Sequence, residues 1–492
     1  MNGNNNTLLK VIILFILLFL LSSCAPPHCS KEFLILAINN ANTNPGPDTI
    51  NLASSCVYEL DLIDNTIEGN NGLPSITSQI VINGNGATIR RGTGAQKSAI
   101  RLFHISQGGD LTLNEITLLD GMAIEPTDVT LLIPNSGGAI LNNGTLTVNN
   151  SLITANKAKL KGGGIYNLGT MTINQTTIQN NETNIGNEPN ESGGGISNTG
   201  IATINDSTIA NNVASQSGAG IGNSGILNLT NSTISGNSTT LSGIVSGAAM
   251  VNAGNAVISY STIANNVGTT SGAVFSAPDT IEIINSIIAD NVPSDCSYPA
   301  TSPVSGPNLD SDGSCDNFTI TDNPQLGPLV NNGGPTETHA IGASSPAKNA
   351  AAGSCPAADQ RGVPRPHGSA CDLGSYEFDG GGGQGGDSSF LSGLVFDDSS
   401  ADGIHDPGET GFSGVELILE TGPCLAPVGS TTGLTASDGS FQFEILPPTA
   451  GTYCLRIDPL VPPNDTILIP GGFIIPIGGE MEITLTEGED LN

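Results

Sequence analysis

Between Asp398 and Glu409 the chain sets oxygen-bearing groups at positions 1, 3, 5, 9 and 12 of one run, Asp398-Ser399-Ser400-Ala401-Asp402-Gly403-Ile404-His405-Asp406-Pro407-Gly408-Glu409, with glycine at position 6. Calcium takes about six to eight hard oxygens, and a glycine at the sixth position permits the turn that folds them inward. The run therefore predicts a calcium site in which Asp398, Ser400, Asp402, Asp406 and the Ile404 carbonyl bind, with Glu409 bidentate. Ser400 replaces a charged or amide ligand, so the expected affinity is modest, roughly 10⁻⁴ to 10⁻³ M.

Cysteine supplies the second chemistry. The N-terminus carries Lys10, an apolar run from Val11 to Leu21, and then Ser22-Ser23-Cys24. That run is too short for a spanning helix and fits the apolar region of a signal peptide. The tetrad Leu21-Ser22-Ser23-Cys24 resembles the bacterial lipobox, which implies cleavage before Cys24 and lipidation of its thiol. Of nine cysteines, eight then remain, an even number suited to disulfides in an exported chain. They fall into neighbouring pairs by region, which predicts Cys29 with Cys56, Cys296 with Cys315, Cys355 with Cys371 and Cys424 with Cys454. No CxxC or Cys/His cluster points to a metal instead.

What must position these groups is a repeat. A small-residue tetrad recurs at Gly137, Gly162, Gly193, Gly218, Gly247 and Gly272, in steps of 25, 31, 25, 29 and 25 residues. The same steps separate Asn156, Asn181, Asn212, Asn237, Asn266 and Asn291, each three residues after an isoleucine. Within each unit apolar residues fall at alternate positions, as in Leu146 and Val148, Ile281 and Ile283, or, with one slip, Ile201 and Ile204. That is strand periodicity in a solenoid. The expected fold is all-β: a right-handed parallel β-helix with an N-terminal cap, followed by a small antiparallel β-sandwich. One isoleucine per coil forms an inward ladder, and Asn156 to Asn291, with a second row at Asn142, Asn167, Asn198, Asn223 and Asn252, stack as amide ladders.

Around the repeat the chain divides into a lipoprotein signal peptide (1–23), a cap (24–60), the β-helix (61–292), a region at 293–379, a Gly-rich linker (380–389) and a C-terminal module (390–492). In the cap, Phe33, Leu36, Ala37 and Ala41 stand near helical spacing, as expected of a helix closing the solenoid's open end. Arg90, Arg91, Lys97 and Arg101 read as a solvated basic loop. In 293–379, His339 is expected to be hydrogen-bonded and Arg361 to pair with Asp372 or Glu377.

Several separated motifs in 293–379, among them Asp322-Asn323-Pro324-Gln325-Leu326-Gly327-Pro328-Leu329, Asp359-Gln360-Arg361-Gly362-Val363-Pro364-Arg365-Pro366 and Cys371-Asp372-Leu373-Gly374-Ser375-Tyr376-Glu377-Phe378, resemble the choice-of-anchor Q domain. The resemblance implies an exported bacterial or archaeal architecture and carries no catalytic residues. The C-terminal module, through Asp398 to Glu409, Gly411-Phe412-Ser413-Gly414-Val415 and Ser437-Asp438-Gly439-Ser440-Phe441-Gln442-Phe443, resembles the B domain of serine-aspartate-repeat surface proteins. Some related domains carry a Lys-to-Asn crosslink, which the lack of any lysine after Lys348 excludes here.

Composition narrows the function. The formal net charge is −32, and no Lys or Arg occurs between Lys161 and Lys348. Nucleic acid is excluded as a partner, because phosphate binding needs basic patches. A polysaccharide lyase needs a base and cations for a uronate, but the coils offer only Lys157, Lys159 and Lys161. A glycoside hydrolase needs two carboxylates about 5 to 9.5 Å apart, and the coils supply scattered acids such as Asp206, Glu282 and Asp290. The chain has no Trp to serve as a sugar platform. The expected function is that of a lipid-anchored cell-surface structural or adhesive protein, held at the bacterial cell membrane or outer membrane and facing a surface glycan or protein. Enzymatic action on polysaccharide and non-catalytic carbohydrate binding stand as alternatives.

Overall fold

The computed structural model describes residues 29–44, 46–94, 97–124, 132–183, 192–241, 247–277, 280–298, 304–379, 389–395, 411–421, 429–436, 440–445, 451–456 and 480–485. The chain separates into two compact units, residues 1–379 and 380–492. The first is a parallel β-helix; the second is built of antiparallel strands.

The β-helix is capped by α1 (Lys31–Thr43), whose N-cap Ser30 hydroxyl accepts from the Phe33 amide. Its buried stripe is Leu34, Ile38 and Ala41, while Leu36 is 60% exposed. The inward face is thus turned from the expected one, with Phe33 and Ala37 flanking it half-buried. Asn42 clamps α1 to the first coil, donating to the Ser75 carbonyl and accepting from the Thr77 amide. A disulfide from Cys29 to Cys56 pins its start. The solenoid begins inside the segment expected as cap. Strands β1 (Asp48–Asn51) and β2 (Val57–Leu60) both pair in parallel with β3 (Gln79–Arg91).

From there each coil contributes equivalent short strands, as in Ile165–Asn167, Thr170–Asn174, Thr177–Gln179 and Glu182–Thr183. One face is an eight-stranded parallel sheet running from Phe103–Ile105 to Cys296–Ser297. The inward rows are fully buried: Ile153, Ile178, Ile209, Ile234, Ile263 and Ile288 form one, and Val148, Ile173, Ile204, Leu229, Ile258 and Ile283 another. Each such side chain contributes roughly 1.5 to 3 kcal/mol on burial. In the coil with the slipped alternation, Ala202 takes the inward place beside Met171 and Leu227, and Ile201 is left 44% exposed. Register with the neighbouring coils outweighs the bulk of the side chain. The tetrads mark a tight corner. Gly162 lies at φ +61°, and a Cβ on Gly163 would stand 2.4 Å from the Gly194 carbonyl oxygen.

Both expected asparagine rows form. Asn156 donates its amide to Asn181, and so on through Asn212, Asn237, Asn266 and Asn291, at 2.9 to 3.0 Å. The row from Asn142 to Asn252 repeats this at 2.7 Å per step. A third ladder, absent from the sequence reading, joins Asn205, Asn174, Asn149, Asn114, Asn83 and Asn51 on the half-exposed side. A hydroxyl row accompanies them: Ser151, Thr176, Ser207, Ser232 and Ser261 each accept the backbone N–H of the equivalent corner one coil earlier. The sequence motif ends at Asn291, but parallel pairing continues through Val304–Ser305 and Leu309–Asp310 to Ile320–Thr321.

In the second unit, Glu416–Thr421 lies between Gly429–Leu434 and Gly451–Arg456, with Glu480–Leu485 at the edge, and Ser389–Leu394 pairs with Ser440–Ile445. Val415, Leu417 and Cys454 are buried there.

The inner ladder sets a prediction. Asn237 is fully buried and its side chain joins five hydrogen bonds, accepting from the Asn212 backbone amide and side chain and donating to the Ile209 and Ser235 carbonyls and Asn266. Asn237→Ala is expected to destabilise unit 1 by about 3 kcal/mol, and Asn205→Ala, on the half-exposed ladder, by about 1 kcal/mol or less, as read by urea denaturation.

Candidate functional site

One lengthwise face of the β-helix is partly covered by the chain's own residues 322–379, here called the strap. Three threonines in register, Thr208, Thr233 and Thr262, stand on successive coils of that face. Thr208 donates to the Glu337 carbonyl and Thr233 to Gln360, while Thr262 accepts from the Ser375 amide. Corner residues on the same face add a second row. Asn231 donates to the Ala358 carbonyl, Tyr260 to the Ser354 carbonyl and Asn285 to the Ala352 carbonyl. These corners have positive φ, 48° at Asn231, 47° at Tyr260 and 48° at Asn285, which turns their side chains out of the coil. Apolar packing of Ile341, Ala347, Leu373 and Tyr376 on Ile287 and Leu309 completes the attachment.

The strap's buried charges pair largely with one another, while Arg365 Nε and the Asp379 carboxylate oxygens have no hydrogen-bond partner. Arg361 pairs with Asp359 at 2.8 Å, and reaches Glu377 only through that residue's carbonyl. This corrects the expected partners Asp372 and Glu377: Asp359, two residues away, already collects the Arg361, Val363 and Glu377 backbone amides. Arg365 takes Glu377, at 3.4 Å. His339 is buried, with Nδ1 2.7 Å from the Gly327 carbonyl and Nε2 2.8 Å from the Ser235 hydroxyl. Nδ1 must therefore carry the proton, and burial pushes the imidazole pKa down.

Where the strap stops, the face opens into a groove of about 470 Å³. Its floor comprises the next coils toward the N-terminus, with corner residues Glu115, Asn150 and Gln175 and strand residues Thr117, Thr177 and Gln179; Pro335 and Glu337 close one end. Burial pushes the Glu337 carboxyl up. Among the described lining residues there is no Lys, Arg or aromatic ring.

A second cleft, about 340 Å³, is lined by Glu68, His104 and Asn143 among others. His104 Nε2 lies 3.0 Å from Glu68, and Nδ1 lies 2.8 Å from the Ser75 hydroxyl. The order Ser-His-Glu has the form of a hydrolytic triad, but Ser75 is only 7% exposed and does not line the cleft. The network instead ties the 61–76 segment to the coils. Arg101 reinforces it: expected in a solvated loop, it is fully buried and donates to the carbonyls of Glu68, Ile133 and Ser136.

At the far end, Asp295, Asp310 and Asp312 bring carboxylate oxygens within 4.8 Å of one another, a set that could hold a cation. Asp295 accepts from the Asn291 side chain, ending the inner ladder, and from Ser311. Burial pushes its carboxyl up against those hydrogen bonds. The run Asp310-Ser311-Asp312-Gly313 was the available sequence signal for this cluster.

Three expected disulfides form, Cys29 to Cys56, Cys296 to Cys315 and Cys355 to Cys371. Cys454 is disulfide-bonded. Its expected partner Cys424, the lipidation residue Cys24, and the calcium ligands Asp398, Ser400, Asp402, Ile404, Asp406 and Glu409 lie outside the described residues. No known protein family matches the chain, and no curated protein is significantly similar to it.

His339 predicts a pH response. Its folded pKa is below the unfolded value near 6.5, so the stability it confers is present above that value and lost as pH falls toward the folded one. Thermal melting between about pH 7.5 and pH 5.5 should show the loss, and His339→Gln should show a smaller one.

Proposed function

We propose that this chain is an exported, lipid-anchored surface protein in which the β-helix acts as a rigid structural or adhesive element and the C-terminal module is stiffened by calcium. The observation that carries this reading is the closure of the solenoid along its length. Amide ladders tie every coil to the next, α1 covers one end, and the strap locks onto the side through Thr208, Thr233 and Thr262. Such a rod resists local opening, because each ladder amide bonds the coils on both sides of it. Disulfides at Cys29, Cys296 and Cys355 suit an oxidising compartment.

On this reading Cys24 carries the lipid that holds the chain to a bacterial membrane. Residues 293–379 correspond to a choice-of-anchor Q-like region and 390–492 to a B-like domain, with calcium held by Asp398, Ser400, Asp402, Asp406, the Ile404 carbonyl and Glu409. The partner is a surface glycan or protein, and nucleic acid is disfavoured by the charge of −32. Polysaccharide lysis is disfavoured by the lack of a cation in the groove's described lining.

Two measurements test the reading. The full chain expressed in a bacterium should partition into the detergent phase, and Cys24→Ser should move it to the aqueous phase; equal partitioning of the two would remove the lipid anchor. Calorimetry on the full chain should show saturable calcium binding at about 10⁻⁴ to 10⁻³ M that the Asp402→Ala, Glu409→Ala double variant weakens at least tenfold. Unchanged binding in that variant would move calcium elsewhere, with the cluster at Asp295, Asp310 and Asp312 the next place to look.

A further inference from the structure

The strap shows what the covered part of the lengthwise face can hold: chain from Ala352 to Ala358 crossing three coils, bound at its carbonyls by the corner side chains of Asn285, Tyr260 and Asn231, with strand hydroxyls beside them binding other parts of the strap. The open groove continues the same columns. Thr117, Leu152, Thr177, Thr208, Thr233 and Thr262 are successive members of one register. The corner column runs through Glu115, Asn150, Gln175, Asp206, Asn231, Tyr260 and Asn285, each with positive φ between 47° and 51°. Strap contacts begin at the Asp206 carbonyl, which Thr336 meets, and at Thr208. Before that point the array lies open.

We propose that this open part, from Glu115 to Glu337, binds a strand of neutral polysaccharide lying along the helix axis. The reading gives the adhesive face of the proposed surface protein a place and a ligand class, and rests on that proposal only for the ligand being extracellular. Three features choose the class. Asn150, Gln175 and Gln179 each offer both a donor and an acceptor, which suits vicinal hydroxyls that do the same. Glu115 and Glu337, with no cation among the described lining residues, repel polyanions such as uronates. A peptide adding as a strand is not served, because the strands beneath are hydrogen-bonded to neighbours on both sides and present no free edge; the strap itself is held through side-chain hydrogen bonds to its carbonyls. Leu152 and Pro335 give limited apolar surface for a sugar face, and with no aromatic platform each contact is weak. Stacked coils compensate by repeating the contact along one strand of ligand.

The test uses the full chain and a panel of soluble probes: cello-, manno-, xylo- and chito-oligosaccharides, polygalacturonate, and a synthetic peptide with the chain's own residues 352–360. Titration calorimetry is run beside the double variant Asn150→Gly, Gln175→Gly. Glycine keeps the positive-φ corners and deletes the amides. Expected is saturable binding of at least one neutral oligosaccharide, none of polygalacturonate, and a loss of about tenfold or more in the variant with its melting temperature retained. Should the variant lose melting temperature, Gln179→Ala, on a strand rather than a corner, provides the comparison. No binding by any neutral probe, binding untouched by the variants, or preference for polygalacturonate or the peptide would each overturn the inference. The membrane partitioning of Cys24→Ser is unaffected by these outcomes, so failure here leaves the anchored-scaffold proposal standing.

Discussion

Everything in the first unit depends on coils stacking in register. A buried side-chain amide has two donors and an acceptor to satisfy, and inside a solenoid water cannot do it. Asn212 solves this by donating to Ile178 and Asn237 while accepting from Asn181. Each member therefore requires the coil before and the coil after. A slip of one residue would turn the isoleucine rows outward and leave six amides without partners, so the apolar and polar rows enforce a single alignment.

A stack held this way has to end somewhere, and its ends are where irregular structure collects. At the start, Asn42 of α1 bonds Ser75 and Thr77, and a disulfide joins Cys29 to Cys56. At the finish, the disulfide from Cys296 to Cys315 starts beside Asp295 and spans the segment that carries Asp310 and Asp312. The strap then runs back along the side, and its Arg361, Arg365 and His339 bring cationic and imidazole groups that the coils from 192 to 291 lack. Those groups serve attachment: Arg361 stacks on Tyr376 at 3.6 Å, and His339 bonds Ser235 of the coil beneath.

The β-helix, its two amide rows and three of its disulfides were legible because a repeat multiplies each weak signal. One Asn means little, but six in register with six isoleucines fix a fold. What was not legible lacked repetition or depended on proximity across the chain. The half-exposed ladder from Asn51 to Asn205 was hidden among the many surface asparagines. Ile201 misled because bulk suggested an inward place that register gave to Ala202. Arg361 misled because its partner Asp359 lies two residues away, inside a turn that only the folded strap creates. The groove could not be read at all, since Glu115 and Glu337 are brought together by the strap doubling back over the coils.

The ladders also have direction, and direction explains their termini. In both buried rows each amide donates toward the C-terminal end, whereas in the half-exposed row donation runs toward the N-terminus. A column of amides all donating one way is a line of aligned dipoles, with its unpaired donor at one end. In the inner row that last donor is Asn291, and it meets the Asp295 carboxylate at 2.9 Å. Its companion ends on the hydroxyl of Ser276 at 3.0 Å, and the outer row ends on Asn51, which is exposed to water. The strongest acceptor therefore closes the inner column, on a carboxylate that is itself fully buried. The charge this introduces is met by four donors, the Asn291 backbone and side chain and the Ser311 backbone and hydroxyl. Burial still raises the Asp295 pKa in spite of them, so an acidic cluster at this end of the rod follows from how the amide column must stop.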